Sequence, residues 1–293
     1  MNMKHAICAF FLLAPSLTGS AAAAEQPSVR VWIDKELGWD ATLIGRTAVD
    51  DKIRFLQKGK EGEIRLPVSG LLRVDFEIKV NRNEIMDLYL NEKYEKLKRL
   101  LADALAPAQE YLDVPSNLWP LQRVYMKTLL WSGDYAALDQ YTKRILRLQP
   151  VSRERDEATL FRVLGLSGIG KSSEAQALFR DTKLDLETLV DPPLYHFAKA
   201  KVAILAGAED EAQEELATIV SFHAKNFEWM PAALYESASQ YMARGQADVA
   251  IQIAEEIQVA YPSTSWKERA ATLQKKFESE REGGEKLLQH MAR

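Results

Sequence analysis

Cysteine is almost missing from this sequence. The single cysteine, Cys8, lies within the first 24 residues, so the rest of the chain has no thiol. That remainder cannot form a disulfide, bind zinc through sulfur or use a cysteine nucleophile. Histidine is also scarce, and His196, His223 and His290 are the three that follow residue 24. None has a metal-ligating partner at helical spacing or a serine and aspartate beside it, so we predict no metal, no cofactor and no catalytic residue.

The sequence has no large excess of either charge. Its 38 lysine and arginine residues against 42 aspartate and glutamate residues give a net charge of −4, and these charges are dispersed. A nucleic-acid-binding surface needs a basic stripe, so we expect no nucleic-acid partner. Acidic residues are plentiful, but no two stand out as a general acid and base.

Long hydrophobic runs are missing too, apart from one short run at the start. Residues Ala6–Ala14 are apolar but too few to span a bilayer. Lys4 precedes this run, and Ala22–Ala24 supplies small residues for cleavage, which together predict a secretory signal peptide over residues 1–24. We therefore expect an exported protein of the bacterial periplasm or cell envelope, cleaved near Ala24 and without a transmembrane segment. The alternative is a buried N-terminal helix.

Residues 25–79 are predicted to form a small β domain. Apolar and polar residues alternate in four segments, Val29–Ile33, Asp40–Ile44, Lys52–Leu56 and Glu63–Leu66, and glycine or aspartate turns separate them. A period of two over such lengths is typical of strands. Four or five antiparallel strands would make a small barrel or a curled sheet.

Several short features of this region are similar to a known module. They are Trp32, Asp34, Ala41, the charged hairpin Lys58–Glu63, Leu66–Val68 and Leu71–Leu72. With them the region resembles the Sla-type homology domain, which implies an SH3-like β-barrel with a short helical turn after the proline. Such modules bind short peptides in some proteins, but no binding residue can be carried over. An unrelated small β domain is the alternative.

Four glycines recur at nearly constant spacing through the second part of the chain. Gly133, Gly170, Gly207 and Gly245 lie 37, 37 and 38 residues apart. A small or apolar residue stands five positions after each, namely Leu138, Ala175, Ala212 and Ala250. A fixed period of this size indicates stacked helical hairpins. Glycine suits the turn, and the following small residue lets the two helices of a hairpin approach.

The apolar pattern predicts where these helices lie within residues 80–277. A capping helix over Ser265–Phe277 follows the last hairpin, and residues 278–293 are predicted to be a charged, disordered or frayed tail. The predicted hairpins pair Glu84–Leu90 with Tyr94–Leu105, Trp119–Trp131 with Tyr135–Leu148, Thr159–Ile169 with Glu174–Thr182, Leu194–Ala206 with Asp210–His223, and Pro231–Arg244 with Ala247–Ala260.

The hairpins resemble the tetratricopeptide repeat (TPR) family. The matching residues are Gly133-Asp134-Tyr135 with Pro150, Ala175 with Phe179, Ala212 with Leu216, and Ala250 with Pro262. The period departs from the 34 residues of the family. The resemblance implies a mainly α protein, a TPR-like α-solenoid of about five hairpins, whose concave face binds proteins or peptides.

Superposing the units on the TPR pattern places Arg123, Lys127, Phe197, Lys201 and Tyr235 on that concave face. Basic and aromatic side chains there suit an acidic or C-terminal peptide, although the carboxylate-clamp pattern of the family is not reproduced. We expect the three cations to face solvent, so that reversing their charge leaves stability nearly unchanged.

One motif points to a different chemistry. Gly165–Ser172 fits the phosphate-loop pattern G-x-x-x-x-G-K-[ST], in which Lys171 would reach the phosphates. However, Gly170 is in register with the other repeat glycines, and a phosphate loop follows a strand whereas the flanking residues are helical in pattern. We therefore interpret Gly170 and Lys171 as a hairpin turn. Gly165 and Gly168 would then allow close packing against the neighbouring hairpin.

Three functional hypotheses follow from the sequence. The favoured one is a non-catalytic protein- or peptide-binding adaptor or assembly factor of the cell envelope. The second is an enzyme, either a nucleotide hydrolase using Gly165–Ser172 or a cell-wall hydrolase. The third is a purely structural subunit of an envelope complex.

Overall fold

The computed structural model describes residues 26–47, 50–147, 152–184, 187 and 189–291. Of residues 152 and 282–291 it describes the backbone alone. The predicted signal peptide, residues 1–24, lies outside the described residues. The described chain begins with an antiparallel sheet and continues as a long series of helices.

The five strands have the period-two burial that the sequence predicts. Val29 and Val31 of the first strand point into the core, and so do Ile53 and Phe55 of the third. All neighbouring strands pair antiparallel, in the spatial order β4-β3-β2-β1-β5. Their bounds are β1 (Ser28–Trp32), β2 (Gly38–Arg46), β3 (Lys52–Gln57), β4 (Glu63–Pro67) and β5 (Arg73–Phe76).

The predicted closure of this sheet into a barrel is wrong. Strands β4 and β5 form its two edges. The outer edge of β5 bonds instead to the segment before the third helix: Val74 N–H donates to the Pro115 carbonyl at 2.8 Å. The Asn117 side chain both accepts from and donates to the Phe76 backbone, each at 2.9 Å. This segment occupies the edge that β4 would need in order to close a barrel.

The buried face of the sheet packs on residues 105–118. Leu105, Tyr111 and Leu118 belong to the same apolar cluster as the strand residues. The Arg46 guanidinium also pairs with the Asp113 carboxylate at 2.6 Å. The sheet therefore shares its core with the beginning of the helical region.

Eleven α-helices follow within the described residues. The first ten form five antiparallel hairpins, and the first helices of hairpins two to five contact one another in succession. The bounds are α1 (Arg82–Leu90), α2 (Tyr94–Leu105), α3 (Trp119–Trp131), α4 (Tyr135–Arg147), α5 (Ser152–Gly168), α6 (Ser172–Asp181), α7 (Pro192–Ala206), α8 (Glu209–Phe222), α9 (Trp229–Ala243), α10 (Ala247–Ala260) and α11 (Ser265–Met291).

The four repeat glycines do lie in the turns between paired helices, as predicted. Their φ angles are 76° at Gly133 and Gly170, 71° at Gly207 and 74° at Gly245. Each turn closes with two backbone hydrogen bonds, such as Gly133 N–H to Leu130 O and Asp134 N–H to Leu129 O. This bonding is the Schellman motif, which needs a left-handed residue that glycine adopts without strain.

The small or apolar residue five positions after each glycine is fully buried, as expected where the two helices of a hairpin meet. Leu138, Ala175, Ala212 and Ala250 each have 0% exposure. A similar approach occurs between hairpins, because a Cβ at Gly168 would lie 2.2 Å from the Tyr135 ring. The predicted packing role of the helical glycines is therefore confirmed.

The first hairpin has the same turn without a glycine. Glu92 has a φ of 54°, and its N–H bonds to Tyr89 O while Lys93 N–H bonds to Leu88 O. These are the two Schellman bonds again. The Glu92 carboxylate accepts from the Ser265 N–H at 2.6 Å, at the first residue of α11. The start of the helical region is thus bonded to its last helix.

Helix α11 packs on α9 and α10 as the predicted cap, but it is longer than expected. Its backbone continues through residue 291, so the described part of the tail is helical, which agrees with the frayed-helix alternative and differs from a disordered tail. The tail is rich in glutamate, lysine and other good helix formers, and the docked first turns of α11 remove the cost of starting a helix there.

Candidate functional site

A small cavity lies on the face formed by the first helices α3, α5, α7 and α9, and α11 covers it. We call it the α11 cavity. Its volume is about 150 Å³. Its walls are mostly aromatic and apolar side chains, with one acidic and two basic groups among them. The lining residues are Leu130, Trp131, Tyr135, Leu164, Ser167, Gly168, Phe197, Lys201, Ala232, Tyr235, Glu236, Trp266 and Arg269.

Three of the five residues predicted for peptide binding line this cavity. Phe197 is buried in its wall, and Tyr235 lies 5.9 Å from the Trp266 ring, centroid to centroid. Lys201 donates to the Glu236 carboxylate at 2.9 Å. Burial raises the pKa of the Tyr235 phenol, and the Glu236 charge adds to this rise. The phenol therefore stays neutral and can donate or accept a hydrogen bond.

Helix α11 contributes an arginine and a tryptophan to the cavity. The Arg269 guanidinium lies 4.8 Å from the Trp266 ring centroid, within the range of a cation–π interaction. It also donates to the Trp131 carbonyl at 3.1 Å. No carboxylate of the described residues forms an ion pair with it. Arg269 is exposed to solvent, and an uncharged acceptor and an aromatic face hold its guanidinium.

Lys127, the fourth predicted residue, lies in a buried cluster beside the cavity. Its ammonium group pairs with Asp191 at 2.7 Å and with Glu228 at 2.5 Å. Burial alone would lower the pKa of Lys127, but the two carboxylates outweigh it and raise that pKa. The lysine therefore remains charged. Glu228 also accepts from the Trp131 indole at 3.0 Å and from the Tyr89 hydroxyl.

Arg123, the fifth predicted residue, holds a buried carboxylate. Its guanidinium makes two bonds to Glu157, at 2.7 and 3.0 Å, and the Trp119 indole donates to the same carboxylate at 3.0 Å. The Glu157 side chain has 0% exposure. The expectation that Arg123 and Lys127 face solvent is therefore wrong. Reversing either charge would leave buried carboxylates facing a like charge, so we now expect a large loss of stability.

Two of the cavity residues that were not predicted come from outside the repeats. Trp266 and Arg269 lie three positions apart on the first turns of α11, and Trp131 ends α3. An aromatic and a basic residue at a spacing of three share a helix face, which is the signal that was present. Nothing in the sequence shows that this face of α11 packs over the first helices of the hairpins.

The phosphate-loop-like segment has the geometry of a hairpin turn. Gly165 and Gly168 lie inside α5, so a helix precedes the turn where a phosphate loop would follow a strand. Gly170 is the left-handed residue of the turn. Lys171 is half exposed and pairs with Glu174 at 3.0 Å on the next turn of helix. The hairpin-turn interpretation is confirmed.

The described part of the chain holds no group of three histidine, aspartate or glutamate side chains arranged to bind a metal ion. Within the same residues, no helix combines the length and the apolar character needed to cross a membrane. A scan of the sequence against protein-family models gave no match, and a search of curated proteins found no significant similarity.

Proposed function

We propose that this protein is a non-catalytic protein- or peptide-binding adaptor or assembly factor of the bacterial cell envelope, and that the α11 cavity is its recognition site. The observation that carries the proposal is the aromatic wall of that cavity with the exposed Arg269 at its edge. Binding hot spots are rich in tryptophan, tyrosine and arginine.

The proposal includes a TPR-like array carrying an SH3-like module. Five hairpins with the same Schellman turn support the first part, because a repeated turn at a repeated spacing is typical of helical arrays. The strand order and the short 3₁₀ turn over Val68–Gly70, just before β5, support the second. The export of the protein to the cell envelope, which is part of the proposal, is supported by the signal-peptide pattern of residues 1–24.

The proposed site differs from the one expected from the TPR resemblance. Arg123 and Lys127 are engaged in buried ion pairs, so they stabilise the array. Phe197, Lys201 and Tyr235 remain in the proposed site, joined by Trp266 and Arg269. A ligand there would contact α7, α9 and α11 together.

Selection from a peptide library tests this function. The library should present its peptides in two formats, inside a carrier protein and with a free C-terminus. We expect peptides that bind the purified chain, and we expect Tyr235→Ala to weaken their binding at least about tenfold, which is ordinary for a hot-spot tyrosine. Tyr241→Ala is the matched control, since Tyr241 is a partly buried tyrosine of the same helix that does not line the cavity.

Two outcomes would contradict the proposal. If no peptide is enriched, while the chain purifies from its host with a stoichiometric partner, the structural-subunit hypothesis replaces it. If both tyrosine variants weaken binding equally with unchanged thermal melts, the recognition site lies elsewhere. Thermal melts of both variants separate lost binding from lost folding.

A further inference from the structure

Two histidines that are far apart in the sequence lie side by side on the fourth hairpin. His196 is on α7, and His223 follows the last residue of α8. Their ring centroids are 6.0 Å apart, with an angle of 37° between the ring planes. The His196 side chain is 25% exposed and His223 is partly exposed, so an ion from solvent can reach both residues. Neutral imidazole is the commonest metal ligand in proteins.

A carboxylate determines which nitrogen of His196 is protonated. Glu215 Oε2 lies 2.7 Å from His196 Nδ1. Burial alone would raise the pKa of Glu215, but hydrogen bonds from Lys199 and His196 outweigh it and lower that pKa. The carboxylate is therefore ionised and can only accept, so Nδ1 carries the proton that it donates. The lone pair of neutral His196 is then on Nε2. A carboxylate behind an imidazole in this way orients metal-ligating histidines and strengthens them as ligands.

The surroundings of the pair are compatible with a bound cation. Lys199 pairs with Glu215 at 2.6 Å and with Glu211 at 3.4 Å, so these three side chains together carry one net negative charge. Apart from the contact of His196 with Glu215, neither histidine ring forms a hydrogen bond within the described residues. One nitrogen of His196 and both of His223 are therefore open to a ligand.

The spacing of the two rings fits a shared ion. Zn–N bonds are about 2.0–2.1 Å long, which places the centroids of two imidazoles on one ion at most about 6.4 Å apart. The 6.0 Å between the His196 and His223 centroids is within this limit. Both rings can therefore reach one ion from the backbone positions that the fold gives them.

We propose that His196 and His223 together bind one divalent late-transition-metal ion, such as Cu²⁺, Ni²⁺ or Zn²⁺. His196 ligates through Nε2, with Glu215 as its positioning residue, and His223 supplies the second imidazole. Imidazole suits these ions, whereas Mg²⁺ prefers oxygen ligands. The described residues provide no third histidine or acidic ligand at this place, so water fills the remaining coordination positions. The site lies outside the residues that line the α11 cavity and does not depend on the proposed function.

Titration of metal ions into the untagged, chelator-treated chain tests the inference. Cys8→Ser is included throughout, so that no thiol competes for the ion. We expect calorimetry to show one saturable site per chain that binds Cu²⁺ more tightly than Ni²⁺ or Zn²⁺, and no such site for Mg²⁺. Electron paramagnetic resonance of the Cu²⁺ complex should show coupling to two imidazole nitrogens. Saturating Zn²⁺ should raise the melting temperature, because an ion that binds only the folded state stabilises it.

Variants connect the site to its residues. His196→Gln and His223→Gln should each weaken Cu²⁺ binding at least about tenfold, since even the outer partner of a metal ligand contributes about 10- to 100-fold to affinity. Each should leave one imidazole nitrogen in the resonance spectrum. Glu215→Gln should weaken binding about tenfold but keep the two-nitrogen spectrum, which distinguishes a positioning residue from a ligand. The double variant His5→Gln/His290→Gln is the matched control, since it removes the other two histidines of the sequence.

Three results would overturn the inference. The first is the lack of saturable Cu²⁺ binding at submillimolar concentration. The second is a wild-type spectrum with fewer than two imidazole nitrogens, which decides the question even where a glutamine variant fails to fold. The third is unchanged binding in His196→Gln and His223→Gln, or its loss in the control variant, either of which would mean an adventitious ion only. Circular dichroism melts of the metal-free variants separate lost binding from lost folding.

Discussion

Two cations at or beside the α11 cavity, Lys127 and Arg269, differ in their partners. The ammonium group of Lys127 lies between two carboxylates and is 13% exposed. The guanidinium of Arg269 lies against an aromatic ring and a carbonyl, and it has no acidic partner among the described residues. Lys127 lies on α3 of the first-helix row, whereas Arg269 lies on α11, which follows the hairpins. The sequence pattern predicted Lys127 as a binding residue and gave no role to Arg269.

This difference gives a criterion for separating cations that stabilise the fold from cations that can bind a ligand. A buried cation with two acidic partners has its interactions satisfied by the protein itself, so it stabilises the fold. An exposed cation whose protein acceptors are neutral, such as Arg269, keeps N–H donors that water or a ligand can bind. Charge reversal or removal should therefore affect stability at the first and binding at the second.

Lys127→Met is expected to have the largest effect on stability. It leaves the Asp191 and Glu228 carboxylates close together, buried and without a counter-ion, and breaking a buried pair in this way costs about 3–5 kcal/mol. Denaturant unfolding measures this loss. The double variant Lys127→Met/Glu228→Gln should lose less than the single one, because one unpaired charge is removed. A single variant within about 0.5 kcal/mol of wild type would show that the cluster is not structural.

Gly168→Ala should be the next most destabilising change, by about 1–3 kcal/mol. The new Cβ would meet the Tyr135 ring at 2.2 Å, and both residues line the α11 cavity. Helix propensity alone would favour alanine by about 1 kcal/mol, so a loss shows that packing outweighs propensity. Adding Tyr135→Ala should relieve the clash, and a double-mutant cycle measures the coupling. A stabilised Gly168→Ala protein would contradict the close approach.

Glu154, near the Arg123–Glu157 ion pair, should make the stability of the protein depend on pH. Burial, with the nearby Glu157 charge, raises the pKa of Glu154 from 4.5 to about 7. The folded state then binds more protons than the unfolded state between these values, so stability falls as the pH rises from 4.5 through 7. Below that window both states are protonated.

Unfolding in denaturant at about pH 5 and about pH 8 measures this fall, which we expect to be on the order of 1 kcal/mol after solvent screening. Glu154→Gln removes the titrating group and should reduce the difference between the two pH values. Equal pH dependence in wild type and variant would mean that another group is responsible.

Replacing Glu92 tests the turn that bonds the first hairpin to α11. Glu92→Ala loses the acceptor of the Ser265 N–H and keeps a side chain in the left-handed conformation. Glu92→Gly loses the same bond but relieves the conformational cost, so it should be about 1 kcal/mol more stable than the alanine variant. Thermal melts compare the two. A glycine variant less stable than the alanine variant would show that Glu92 is not strained.

Lys171→Ala should have the smallest effect, within about 0.5 kcal/mol, because the side chain is half exposed and pairs only with Glu174 on the next turn. Titration of ATP with magnesium into wild type and variant is the check on chemistry. Saturable binding that the variant loses would revive the hydrolase hypothesis and reject the hairpin-turn role assigned to this segment.

Much of the helical region could be predicted from the sequence, because its signals are local. A Schellman turn is closed by bonds within six residues. A glycine followed five positions later by a small or apolar residue therefore predicts such a turn from local sequence. The strands were predicted for the same reason, since alternating burial is a property of consecutive residues.

Only the tertiary structure decided which cations are neutralised, how the sheet edge is used and where the cavity lies. Lys127 and Glu228 are 101 residues apart in sequence, and Glu92 and Ser265 are 173 apart. Glu92 takes the left-handed position that glycine has in the other four turns, and its carboxylate bonds to α11, which lies outside the repeat. Such pairings depend on how the hairpins stack. The free energy of each contact depends on its burial, which cannot be predicted from neighbouring residues in the sequence. The sequence by itself therefore determined the hairpins and their turns, while packing between distant helices determined the candidate site.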